Sequence, residues 1–157
     1  MDSTAAKTID ALVKAFEDTF EGIAFAQIFN RETCTEPVTG EGDELCSFID
    51  LPEPMNARFF VMMKRDHVVE CFESVYTGLD VDQVGEAVLL DFVNELTNTA
   101  AGHFASAVAP EKSDMVIGLP VTPDEAQRTA CLTPTAGGTV MYFQVEDYAF
   151  YTSLMPL

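Results

Sequence analysis

Residues 81–108 read VDQVGEAVLLDFVNELTNTAAGHFASAV, and this stretch decides the fold. It holds no proline, and Leu89, Phe92, Val93, Leu96, Ala100, Phe104 and Ala107 recur at three- and four-residue spacing. That period gathers them into one apolar stripe of a helix running from Val81 to about Val108. Ala109-Pro110-Glu111 ends it, because proline lacks the helical donor and clashes with the turn before it. Away from the stripe, Asp91, Glu95 and Asn98 fall at i, i+4 and i+7, which stacks them in one row.

Working outward, Thr4–Phe20 has the same period through Ile9, Leu12, Val13, Phe16 and Phe20, with Ser3 or Thr4 as its cap. Residues 22–29, GIAFAQIF, read as a buried strand, and the polar stretch 31–43, with Pro37, Gly40 and Gly42, as a surface loop. Leu45–Leu51 and Ala57–Met63 form a strand hairpin across Pro52-Glu53-Pro54, and His67–Tyr76 is a short amphipathic helix ending near Gly78. Beyond the long helix, Met115–Leu119 reads as a strand running into Pro120, and Thr122–Arg128 as a polar connection. A hairpin of Thr139–Val145 and Tyr148–Leu154 closes the chain, turning at Glu146-Asp147. Helix-then-strand thus occurs twice, each time followed by a strand pair. The expected fold class is α+β: a pseudo-twofold duplication with one mostly antiparallel sheet covered by two long helices. The 157 residues fit a single domain, 1–157.

Composition narrows the function. The chain is 48% hydrophobic, enough for a packed core. No apolar run reaches the roughly 18 residues of a membrane span, and MDSTAAKTIDALVKAF lacks a basic segment before an apolar one; the cytoplasm is the expected location. Eight Lys and Arg against 26 Asp and Glu give a net charge of −18. Nucleic-acid backbones and anionic membranes would be repelled, while a locally basic protein surface would be attracted. Cys34, Cys46, Cys71 and Cys131 are scattered, with no metal-ligand spacing, and are expected as free thiols. His67 is expected at a helix start near the surface, and His103 lies about 140° around the helix from Asn98, outside any shared site. Of Met62 and Met63, one is expected in the core and the other at an interface. Gly137-Gly138 is a turn, since no helix follows it to bind a phosphate. Phe143, Tyr148, Phe150 and Tyr151 are expected to pack the sheet.

Asp91, Glu95 and Asn98 carry the chemistry worth weighing. On spacing alone, a solvated helix face is the ordinary reading. Yet an amide offers one acceptor and two donor hydrogens and can hold a water, while a carboxylate can pair with a lysine. Phosphoryl transfer to water needs little more than such positioning and charge stabilisation.

The run Asp91-Phe-Val-Asn-Glu95-Leu-Thr-Asn98-Thr-Ala-Ala-Gly102 resembles the signature helix of the CheC/CheX/FliY phosphatases of bacterial chemotaxis. There an acidic or serine residue precedes E-x-x-N, small residues follow, and a proline comes a little over twenty residues later; here Pro120 takes that place. The order of elements is also similar over most of the chain. CheC-type members resemble two copies of the motif; this chain looks like CheX, with one. In the first helix the corresponding alignment gives Glu17 and then Phe20, a core residue, so that half is expected to be inactive. The resemblance implies hydrolysis of the aspartyl phosphate on a CheY-like response regulator. Asn98 would orient the attacking water, Glu95 would pair with the regulator's lysine, and Asp91 would be a supporting charge. It implies no cofactor of the chain's own, the magnesium being the partner's, and a homodimer formed partly through edge strands. The alternative is a catalytically silent CheX-like module that docks on a receiver domain.

Overall fold

The structure is a computed structural model describing residues 3–109 and 117–157. In chain order its elements are α1 (Ser3–Ala24), β1 (Ile28–Thr33), β2 (Glu44–Leu51), β3 (Ala57–Lys64), α2 (Arg65–Val75), a 3-10 turn (Val81–Gln83), α3 (Glu86–Val108), α4 (Glu125–Cys131), β4 (Thr139–Val145) and β5 (Tyr148–Pro156). The five strands form one sheet in the order β1-β4-β5-β3-β2, with every neighbouring pair antiparallel. Beyond β2, Val121 makes a two-bond bridge to Phe48, its N–H donating at 2.8 Å and its carbonyl accepting at 2.9 Å. The whole row therefore runs β1-β4-β5-β3-β2-Val121. It reads as two halves, α1 then β1, β2, β3 and α3 then Val121, β4, β5, exchanged by a pseudo-twofold axis between β5 and β3.

Alternation along the strands sorts the residues onto two faces. One face packs Ile49, Leu51, Phe59, Val61, Met63, Met141, Phe143 and Phe150 against α1, α2 and α3. At its centre Phe16 of α1 stacks on Phe59, Phe143 and Phe150, with ring centroids 4.8–5.6 Å apart. Phe104 of α3 meets the same Phe59 at 5.8 Å. Both long helices therefore share one aromatic core, whose rings bury the most apolar area per residue. The salt bridge of Arg65 with Glu86 ties the start of α2 to the start of α3. The other face holds a smaller cluster of Cys46, Phe48, Phe60 and Met62 under Cys131 and Leu132 at the end of α4.

Several expectations need correction. The segment 22–29 is not a buried strand. Ile23 and Ala24 continue the apolar row of α1, and the helix stops only at Phe25, which takes a left-handed φ of 52°. β1 starts at Ile28 and takes in Arg31–Thr33 of the expected loop. It is an exposed edge, with Phe25 90% and Phe29 67% solvent-accessible. The long helix begins at Glu86 rather than Val81, because Gly85 in extended backbone interrupts it. In the strand expected at Met115–Leu119, Met115 lies outside the described residues, and Ile117–Leu119 is irregular chain leading to the Val121 bridge. The polar stretch after Thr122 hides α4. Its start is a capping box in which Asp124 accepts from the Gln127 N–H at 2.7 Å and Gln127 accepts from the Asp124 N–H at 2.9 Å. Met62 lies at no interface; the second cluster covers it. His67 is no loose surface residue either. Its Nδ1 accepts a hydrogen bond from the Ala149 N–H at 3.1 Å, filling the ladder of β5 where β3 turns away into α2.

Candidate functional site

α3 is held rigidly from below. Leu89, Phe92, Val93, Leu96, Ala100, Ala101 and Phe104 are all buried. Thr97 is buried too, and its hydroxyl donates back to the Val93 carbonyl at 2.8 Å, so it needs no outside partner. This packing fixes the rotation of the helix about its axis. Asp91, Glu95 and Asn98 consequently all face solvent, as the spacing predicts. Successive neighbours in this row stand about 5–6 Å apart at Cβ, and the row rises about 10 Å along the axis. None of the three makes a hydrogen bond or ion pair with a described residue. Neither Glu95 nor Asn98 lines any of the five best-formed cavities among the described residues. The site is a convex ridge with idle polar groups, which suits insertion into another molecule's cleft better than capture of a small ligand.

The matching face of α1 differs, and the burial pattern corrects the alignment read from sequence. Leu12, Ala15, Phe16, Thr19 and Phe20 of α1 are buried. Leu89, Phe92, Val93, Leu96 and Thr97 of α3 repeat that pattern at a constant step. The step pairs Thr19 with Leu96 and Phe20 with Thr97, and each threonine satisfies its own hydroxyl within its helix, Thr19 on the Ala15 carbonyl at 2.7 Å and Thr97 on that of Val93. The counterparts of Asp91, Glu95 and Asn98 are therefore Lys14, Asp18 and Glu21, one position on from the Glu17/Phe20 pairing. Phe20 is core, packed on Tyr148 and Phe150 at 5.9 and 5.2 Å. Lys14 and Asp18 pair with each other at 3.1 Å, and Glu21 puts a carboxylate where α3 has an amide.

Nothing else among the described residues offers a nucleophile or a metal centre. All four cysteines are free. Burial pushes the Cys46 thiol up to about 12, and those of Cys71 and Cys131 to about 11. Burial, with the nearby Glu32, also raises Cys34. Thiolate is the reactive form, so none is poised for attack. No group of His, Cys, Asp and Glu could hold a metal ion, and no helix is long and apolar enough to cross a membrane, among the described residues. His103 is exposed on α3, away from the row.

A five-stranded antiparallel sheet backed by two long helices in a pseudo-twofold, with a ridge of idle polar residues on one of them, defines the CheC/CheX class of fold. Solved structures bear this out. The chain is similar to a CheC-like superfamily protein from Shewanella sp. PV-4, with a TM-score of 0.70 at 14% identity over 99% of this chain and 98% of that one. It is similar to CheX of Desulfovibrio desulfuricans, with a TM-score of 0.67 at 14% identity over 94% and 97%. It is also similar to the CheX–CheY–BeF3–Mg2+ complex of Borrelia burgdorferi, with a TM-score of 0.66 at 10% identity over 94% and 96%. No protein-family model matches the chain, and no curated protein matches it in sequence. The chain has the CheC/CheX fold.

Proposed function

We propose that this protein is a cytoplasmic phosphatase for the aspartyl phosphate of a CheY-like response regulator, working by insertion of the α3 ridge. The carrying observation is the placement of Glu95 and Asn98 one turn apart, solvent-facing and without partners among the described residues, on a helix held by a buried core. In the Borrelia complex, a chemotaxis protein of this fold is bound to a CheY in the presence of beryllofluoride and magnesium.

The chemistry asks little of the protein. The Asn98 side-chain carbonyl accepts a hydrogen bond from a water and aims its lone pair at phosphorus. Oxygen attacks in line, the bond from phosphorus to the regulator's aspartate breaks, and inorganic phosphate and free aspartate result. Glu95 pairs with the regulator's active-site lysine and sets the register. Asp91, one turn before Glu95, is a supporting charge at the rim. Magnesium comes with the regulator. The gain is positional, since a water held in line needs no further ordering at the barrier.

The test is the decay of a phosphorylated CheY-like regulator from the same genome, with magnesium, with and without this protein. Wild type is expected to accelerate decay, and Asn98→Ala to remove about a hundredfold of that acceleration. Binding without acceleration would mean a silent docking module, and the enzyme reading would be dropped.

A homodimer belongs to the same reading. The outer edge of β1 has no strand partner among the described residues, and five of its six residues are exposed. Such an edge is a template for another strand, and Phe25 and Phe29 add apolar area beside it. Sedimentation should show a dimer that Phe29→Lys shifts to monomer. A wild-type monomer at high concentration would end this part of the reading.

A further inference from the structure

Leu119 is 86% solvent-accessible, yet the chain on either side of it is pinned. On one side Ile117 packs against the main core, its Cδ1 lying 3.9 Å from where a Cβ on Gly102 would stand. A Cβ on Gly118 would lie 3.8 Å from the Asp50 carbonyl. On the other side Val121 is bonded twice to Phe48. Thr122 and Pro123 then share a cavity lining with Leu90 of α3.

These anchors fix where the segment runs. Leu90, Asn94, Asn98 and Gly102 are successive i+4 steps, one ridge of the helix. One end, Gly102, lies beside Ile117, and the other, Leu90, lines one cavity with Thr122 and Pro123, so the segment passes along the middle members Asn94 and Asn98. The lengths agree. Twelve helical residues rise about 18 Å, and five to six extended residues cover about 17–20 Å. The segment therefore runs extended and antiparallel to α3. Leu119, two residues from Ile117, comes level with Asn98, and Pro120 comes level with Glu95. Asn94 is already half-buried on this flank, its Oδ1 enclosed and without a partner.

We propose that segment 117–122 is the second wall of the docking site. Leu119 is its apolar contact, received by the surface of the receiver domain that α3 enters. This rests on the phosphatase reading for the identity of the occupant. It adds a specificity-determining residue outside the helix. A ridge of Asp91, Glu95 and Asn98 is polar throughout and gains little area on docking. A leucine held out beside it supplies desolvated apolar contact at the rim of the inserted groups. The docked α3 face and Leu119 form one continuous surface, which is why the same partner covers both.

The experiment measures the affinity of a CheY-like regulator, held active by beryllofluoride and magnesium, for wild type and three variants. Leu119→Ala is expected to weaken binding about tenfold, as loss of a buried leucine contact does. In the decay assay it should raise the half-saturating concentration and leave the maximal rate within twofold. Asn98→Ala should do the reverse. Leu79→Ala, at another exposed leucine after α2, should change neither. Leu119 is so exposed that its truncation leaves the fold intact, which a melting curve checks. If wild type binds and Leu119→Ala binds as tightly, the wall is refuted while the phosphatase reading stands. Equal weakening by Leu79→Ala refutes it too. If wild type binds no regulator, the phosphatase reading fails and takes this inference with it.

Discussion

The two long helices are built alike and finish differently. α1 and α3 bury five residues at the same spacing, and each buries a threonine that hydrogen-bonds back into its own helix, though at different positions of the pattern. Beside each runs an extended segment at a sheet edge, β1 for α1 and the Val121 segment for α3. On the faces turned outward they part. α3 presents Asp91, Glu95 and Asn98 with no partners among the described residues. α1 presents Lys14 and Asp18, paired to each other, and Glu21. A fold can thus keep its core duplicated while the outward rows of the two copies diverge. The core side of each helix answers to the shared aromatic cluster, and nothing in that cluster constrains the outward row. A carboxylate in place of the Asn98 amide would also repel a phosphoryl group, which an amide does not.

The comparison can be broken most strongly at the core. Phe20→Ala should cost about 3–5 kcal/mol of folding stability in a denaturant titration. Asn98, on the outward face of α3, should tolerate Ala within about 0.5 kcal/mol. Equal costs would mean that α3 is not rotated as described. Next in size is Asn98→Glu, which writes the α1 residue onto α3. It should abolish the acceleration of regulator decay, a loss of at least about a hundredfold, or ~2.7 kcal/mol in the barrier. Retained activity would show that the amide is not what holds the water.

The smallest effect is on thiol labelling, which separates Cys34 from the three enclosed cysteines. Cys34, after β1, is half-buried, while Cys131, in α4, is enclosed. At pH 8 iodoacetamide should label Cys34 in the folded protein and reach Cys46, Cys71 and Cys131 only after unfolding. Burial raises these three thiols to about 11–12 in the fold, against about 8.5 for a free cysteine. The unfolded chain therefore loses its thiol protons first. Their contribution is fully present below about pH 8.5 and is lost as pH rises toward 11–12. Stability that holds flat from pH 8 to 10.5 would count against their enclosure.

Much of this was legible in the chain itself. Helical period located α3 and its outward row, because the core stripe and the row are both sums of local turns. The hairpins β2–β3 and β4–β5 were legible for the same reason, their alternation being local. α4 carried a readable sign, Asp124-x-x-Gln127, but its seven residues are too short for a period to show. Residues 22–29 misled because Ile23 and Ala24 suit either a buried strand or the last turn of a helix. Only Phe25, in its left-handed backbone, marks the boundary.

By itself the sequence determined which residues can share a face: Asp91, Glu95 and Asn98 on one side of a helix, Leu89, Phe92, Val93 and Leu96 on the other. Those relations follow from the 3.6-residue turn and need no partner. The register between the two halves was decided only in three dimensions, because Phe20 and Asn98 are told apart by what lies under each helix. The course of segment 117–122 beside Asn98 was decided there as well. It is set by a Gly102–Ile117 contact and a Phe48–Val121 bridge between residues far apart in the chain, and no local period encodes such contacts.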